Sequence, residues 1–140
     1  MVSPLLTFRT ETASFRENGH VDMLSAAIVS RGNTYIFAAE SLKRQVANPH
    51  RPLPLDGDPE WFGEVQTVAK AVYFTAGGQE VFRDDVRAFA EAVRRCNPDV
   101  DFKLDVAANE VHDSILLEAE LGVAGDATKR MRQWTSKCLA

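Results

Sequence analysis

The sequence predicts a mixed α/β fold: two parallel core strands with flanking helices, preceded by a mostly helical segment. Three observations in its second half carry that expectation. Residues 69–75, AKAVYFT, form an apolar run rich in β-formers and closed by Ala76-Gly77-Gly78, the pattern of a strand buried on both faces. Residues 83–95 place Val86, Phe89, Ala90 and Val93 at helical spacing, so this stretch is an amphipathic helix. Phe102, Leu104 and Val106 then alternate with polar residues, as in a half-buried strand near a sheet edge. Strand, helix, strand, helix within residues 69–140 is the βαβα repeat of a doubly wound parallel sheet.

The elements follow in chain order. The first twenty residues read as irregular, broken by Pro4 and by the Asn18-Gly19 turn signal. A helical pattern starts at Asp22, with Met23, Leu24, Ala27 and Ile28 on one face, and stops at Gly32; Asn33 then caps a second helix through Tyr35, Ile36, Ala39 and Leu42. Pro49, Pro52, Pro54, Gly57 and Pro59 make residues 48–59 a loop, and Glu60-Trp61-Phe62 one helical turn. In the amphipathic helix, Asp84 and Asp85 open and Arg94 and Arg95 close the element, both favourable to its dipole. Cys96 falls on the apolar face and reads as a small core residue, and Asn97-Pro98 ends the helix. Residues 107–113 are a loop and residues 115–121 a helical turn or two; Asp126 caps a final helix with Met131, Trp134 and Cys138 on one side. Two strands bury little and leave a strand edge open, so this half reads as part of a larger sheet.

Composition narrows the function. A chain of 140 residues, 45% apolar and 26% charged, is sized for one globular domain. Its net charge of −4 offers no basic excess for nucleic acid, and Lys129, Arg130, Arg132 and Lys137 read as a solvated helix face. No apolar run nears the roughly 18 residues of a membrane span. The first residues lack the basic and apolar regions of a secretory leader, and two distant cysteines form no CxxC, so a reducing, cytoplasmic setting is expected. His20, His50 and His112 show no metal-ligand spacing, and Gly77-Gly78 lacks the lysine of a phosphate loop.

Parallel sheets gather ligands at the carboxyl ends of their strands. Glu80 follows the first strand and His112 the second; the 32 residues between them amount to one βαβ unit, which would bring both loops to one rim. A carboxylate beside an imidazole fixes its tautomer and stabilises the imidazolium, as a general base in acyl transfer requires. The plainer reading of the same residues is a solvated glutamate after a turn and a surface or capping His-Asp pair.

Residues 73–89, YFTAGGQEVFRDDVRAF, resemble the acid-bearing loop of the hormone-sensitive-lipase-like branch of α/β-hydrolases, which includes the fungal steryl acetyl hydrolases. The resemblance implies that Glu80 takes the place of the catalytic acid, where that family more often has Asp, and that Arg83-Asp84-Asp85 open the following helix. It also implies that His112, in Asn109-Glu110-Val111-His112-Asp113, is the catalytic histidine. The chain then corresponds to the C-terminal portion of an α/β-hydrolase sheet. Residues 1–68 hold the end of a core strand at Ser3-Pro4, a helical cap-like segment and a Pro-rich loop; residues 69–140 are the βαβα unit. The implied chemistry is hydrolysis of a small or lipophilic acyl ester without a cofactor: Glu80 orients His112, and His112 deprotonates a serine. Phe8, Phe15, Tyr35, Phe37, Trp61 and Phe62 would line an acyl pocket or pack in the core.

The family's GxSxG serine and HGGG-type oxyanion loop are absent. Ser3, Ser14, Ser25, Ser30, Ser41, Ser114 and Ser136 all lack the flanking glycines, so both parts would lie upstream of Met1. Three readings remain open. The chain is a section of a serine carboxylesterase completed by an upstream segment, a second polypeptide or a second copy; or it is a catalytically inactive hydrolase-like binding or regulatory partner; or it is an unrelated small α/β domain. A truncated sheet would expose apolar surface and associate, which sets the first two apart from the third.

Overall fold

The computed structural model describes residues 1–36 and 53–140 and is mixed α/β. Among these residues the order is α1 (Ala13–Asn18), α2 (Ala26–Ile36), two 3₁₀ turns (Pro54–Asp56 and Pro59–Glu64), α3 (Val65–Val68), β1 (Ala71–Gly77), α4 (Arg83–Cys96), β2 (Asp101–Ala107), α5 (Ser114–Glu120) and α6 (Asp126–Cys138). The two strands are parallel and fully in register, from Ala71 opposite Asp101 to Gly77 opposite Ala107. Met1–Ser3 lies along the other edge of β1: Ser3 N–H donates to the Thr75 carbonyl at 3.1 Å, and Thr75 N–H to the Met1 carbonyl at 3.0 Å. Val2 and Thr75 form a parallel bridge, which puts β1 in the middle.

Alternation along β1 sends its side chains into two helical layers. Phe74 and Ala76 pack with Val86, Phe89, Ala90 and Val93 of α4, the apolar stripe read from the sequence. Phe74 and Phe62 each meet the Phe89 ring edge-on, with centroids 5.4 and 5.2 Å away. Each such buried aromatic contributes about 2 kcal/mol by leaving water. On the opposite face the Tyr73 ring lies 5.3 Å from Trp134 of α6. The Tyr73 hydroxyl donates to Asp105 Oδ2 at 2.7 Å, and Arg130 of α6 clamps the same carboxylate with Nε and Nη2 at 2.8 and 3.0 Å. Asp105 is thereby held below the ordinary carboxylate range: its own burial opposes this, and the Arg130 and Tyr73 hydrogen bonds outweigh it.

Several expectations are corrected. The first twenty residues are not wholly irregular: α1 forms because Phe15 is buried against Phe82, while Ser14 and Asn18 find buried backbone partners. The second helix starts at Ala26, four residues later than the pattern at Asp22 suggests, and runs through Gly32 and Asn33 rather than stopping there. Asn33 is therefore no cap, and Ala39 and Leu42 lie outside the described residues. Among the residues of α2 whose burial is described Val29 is the buried one, whereas Ile28, and Met23 before the helix, are about half exposed. Within the expected loop the described part, from Leu53, contains a 3₁₀ turn.

Cys96 is exposed, and Asn97 takes its place inside at 1% exposure. Four residues after Val93, Asn97 continues the stripe and satisfies three backbone groups, donating to the Phe62 and Val93 carbonyls and accepting from Gln66 N–H. Asp126 is not the cap of α6: Gly125 holds that position, and the Asp126 carboxylate pairs instead with Lys129 one turn on. Cys138 is exposed rather than part of an apolar side. No described helix is long and apolar enough to cross a membrane. α5 and the turn after it leave Leu116, Leu117, Leu121 and Val123 exposed.

Candidate active site

The sharp ends of both strands meet because two glycines let backbones touch. A methyl group on Gly78 would stand 2.6 Å from the Ala108 carbonyl oxygen, and one on Gly77 would overlap the Glu110 carbonyl. Gly78 N–H donates to the Ala107 carbonyl at 2.7 Å and Gln79 N–H to the Glu110 carbonyl at 2.9 Å. The loop after β1, which carries Glu80, is thus stitched to the loop after β2, which carries His112. The structure places both residues where the strand spacing puts them.

Glu80 is fully buried. Its Oε2 accepts from the Ser3 hydroxyl at 2.7 Å and from Gly77 N–H at 2.8 Å, while Oε1 has no partner. Burial pushes the carboxyl up to about 7; the two hydrogen bonds resist, and the charges of Asp22 and Asp113 add to the rise. Ser3 is held at φ 37°, a left-handed conformation rare for a residue with a side chain, as its hydroxyl meets the acid.

The His112 side chain is 14% exposed, and its ring meets Phe82 edge-on at 5.2 Å. Nδ1 is buried without a partner, and Nε2 faces Asp113 Oδ2 at 3.4 Å. Asp113 itself adopts φ 50° as it turns the chain into α5. No hydrogen bond joins Glu80 to His112 in this structure; the carboxylate oxygen and the imidazole nitrogen that would make it are both buried and unsatisfied.

Two residues that organise the site escaped the sequence reading as site residues. Asp22 receives Val81 N–H on Oδ2 at 2.7 Å and His112 N–H on Oδ1 at 3.2 Å, so one carboxylate holds both loops. Asn18 donates through Nδ2 to the Glu80 carbonyl at 2.9 Å and to the Gly78 carbonyl at 3.3 Å. Nothing in local spacing marks these partners; only an Asn and an Asp beside a turn hinted at side chains that bond backbone. Arg83 and Asp84 open α4 as expected and fasten it to α1, through Glu17 at 2.7 Å and the Ser14 N–H at 2.8 Å.

Beside the histidine lies a cleft of about 320 Å³ whose walls include Leu5, Leu24, Ile28, Val29, Phe82 and His112. Of the aromatics expected in an acyl pocket or in the core, Phe15 and Phe62 are core, Phe8 is half-buried, Tyr35 and Trp61 are exposed, and Phe37 lies outside the described residues. No described serine is bonded to His112: the Ser3 hydroxyl is engaged by Glu80 and that of Ser14 by the Val81 carbonyl. Among the described residues no group of three His, Cys, Asp or Glu is placed to hold a metal ion. Such an arrangement can accept a proton at His112 and, once Glu80 is ionised, orient the ring. Comparison with protein-family models, curated proteins and solved structures found no match to this chain.

Proposed function

We propose that this chain provides the acid and the histidine of a carboxylic ester hydrolase of the α/β-hydrolase type. The carrying observation is the pair of buried, unpartnered atoms, Glu80 Oε1 and His112 Nδ1, on stitched loops that follow parallel neighbouring strands. A buried polar atom without a partner is unfavourable by about 1–3 kcal/mol. Two of them on adjoining loops are relieved together if the side chains close on each other, and catalytic hydrogen bonds are often long before substrate binds. The apolar cleft against His112 suits a lipophilic acyl group.

In this reading ionised Glu80 fixes the Nδ1–H tautomer, and Nε2 takes a proton from the attacking group. With no GxSxG on the chain, the serine and oxyanion donors of the full reaction come from another segment or polypeptide. Here the attacking group is water, and only an activated ester with a good leaving group responds.

The test is hydrolysis of p-nitrophenyl butyrate by the purified chain beside His112→Ala and Glu80→Gln. The expected result is slow turnover above buffer, lost in His112→Ala by as much as general-base catalysis gives, about 10²-fold, and weakened in Glu80→Gln. Turnover at buffer level, or turnover indifferent to His112→Ala, overturns the hydrolase reading. A catalytically inactive binding partner is then the better description, and the exposed Leu116, Leu117, Leu121 and Val123 favour it.

A further inference from the structure

β2 carries a free edge on the side away from β1. In a parallel ladder a residue turns its N–H and its carbonyl toward the same neighbour. Asp101 N–H donates to the Lys70 carbonyl and Gly78 N–H to the Ala107 carbonyl, so the odd-numbered residues of β2 face β1. Phe102, Leu104 and Val106 therefore turn their backbone groups outward, and among the described residues no further strand and no other backbone group meets them. The strand, DFKLDVA, keeps its register with β1 from end to end and has neither a proline nor a bulge to blunt that edge.

An open edge is completed by one more extended chain, and the charges along β2 point to a second copy. Two identical edges related by a two-fold axis pair antiparallel, each residue opposite its counterpart across the axis. With the axis at Leu104, Lys103 of each copy stands opposite Asp105 of the other and Phe102 opposite Val106, and every outward N–H and carbonyl is used. An axis at Lys103 sets that lysine against itself and Asp101 against Asp105, and an axis at Asp105 sets two aspartates together. Like charges directly opposite are unfavourable. An axis at Phe102 pairs Asp101 with Lys103 but leaves Val106 unused. Lys103 is exposed, and Asp105 Oδ1 accepts only from Arg130 Nη2, so the carboxylate keeps room for a second cation. We propose that two copies join their β2 edges antiparallel about Leu104, with reciprocal Lys103–Asp105 ion pairs fixing the register.

The experiment is sedimentation equilibrium of the full chain, with a thiol reductant present because Cys96 and Cys138 are exposed, beside amide hydrogen exchange at low and high concentration. A monomer–dimer equilibrium is expected. Exchange at Phe102, Leu104 and Val106 should slow as concentration rises, while Lys103 and Asp105, bonded to β1, stay protected throughout. Val106 lies outside the core cluster, and Val106→Pro deletes one outward N–H without touching the ladder to β1. Lys103→Glu sets like charges opposite each other. Each variant should weaken dimerisation about tenfold or more. A chain that stays monomeric at about 1 mM, a dimer whose three outward amides exchange as fast as in the monomer, or a dimer undiminished in both folded variants overturns the proposal. The last two results would place the contact elsewhere, with the exposed Leu116 and Leu117 of α5 as the alternative.

Discussion

Replacing Glu80 by glutamine separates the penalty of burying a charge from the contacts the side chain makes. A glutamine oxygen can accept from the Ser3 hydroxyl and Gly77 N–H as Oε2 does, and its amide nitrogen then sits where Oε1 already lacks a partner. What changes is titration. In the folded chain the carboxyl is raised from the ordinary 4.5 to about 7, so between those values the native state holds a proton that the unfolded chain has released. Stability from this group is therefore full below about 4.5 and lost as pH rises through about 7. At about 1.4 kcal/mol per pH unit, the loss amounts to about 3 kcal/mol by pH 8, a large share of a typical stability of about 5–15 kcal/mol. Urea unfolding of wild type and Glu80→Gln from pH 4.5 to 8 measures it. Asp85, pushed up to about 6 by burial, is present in both and cancels. The stability of Glu80→Gln minus that of wild type should grow by about 3 kcal/mol over that range. A difference that stays flat within about 0.5 kcal/mol, or that shrinks, would refute the argument that a buried acid is held there at the expense of the fold. The ionised form that would orient His112 is the form that weakens the native state.

Other outcomes follow from the same geometry. Asn97→Ala removes two buried hydrogen bonds and one part-buried and should destabilise by about 3 kcal/mol, seen as a fall of about 1–2 M in the urea midpoint. In Gly78→Ala the new methyl meets the Ala108 carbonyl oxygen at 2.6 Å; prising the two loops apart should lower the melting temperature by about 5 °C or more. Asp22→Asn cannot accept from both Val81 and His112 N–H, so the exchange of those two amides should quicken by about tenfold while amides within α4 keep their protection. Cys96 and Cys138 are both exposed, and both should react at once with Ellman's reagent in the native chain; a Cys96 thiol that waits for denaturant would contradict the placement of Asn97 inside.

What the sequence made legible is what periodicity reports. β1 announced itself as an apolar run, α4 as a stripe ending in opposite charges, and β2 as an alternation, because each pattern reflects a face turned to one neighbour. Cys96 was misplaced because hydrophobicity alone prefers a cysteine to an asparagine inside. The phase of the stripe favours Asn97, and its burial is tolerable because its amide bonds the Val93 carbonyl one turn back and two backbone groups more than thirty positions away, at Phe62 and Gln66. α1 was missed for a similar reason: its six residues include buried Ser14 and Asn18, whose partners lie more than sixty positions away. Strand topology put Glu80 and His112 on one rim, but the carboxylate of Asp22 that ties their loops together has no local signature.

The Tyr73–Asp105–Arg130 cluster has a consequence for how β2 finds its place. Phe102, Leu104 and Val106 give β2 an apolar side, yet alternation alone tolerates a slide of two residues, which keeps the same side inward. Asp105 removes that degeneracy, since only the observed pairing sets its carboxylate between a phenol from β1 and a guanidinium from α6. A shift by one position would bury the acid against Phe89, and a shift by two would bring Lys103 or Ala107 to the phenol. The cluster works as a registration pin, and its removal should show first as heterogeneous strand pairing rather than as unfolding.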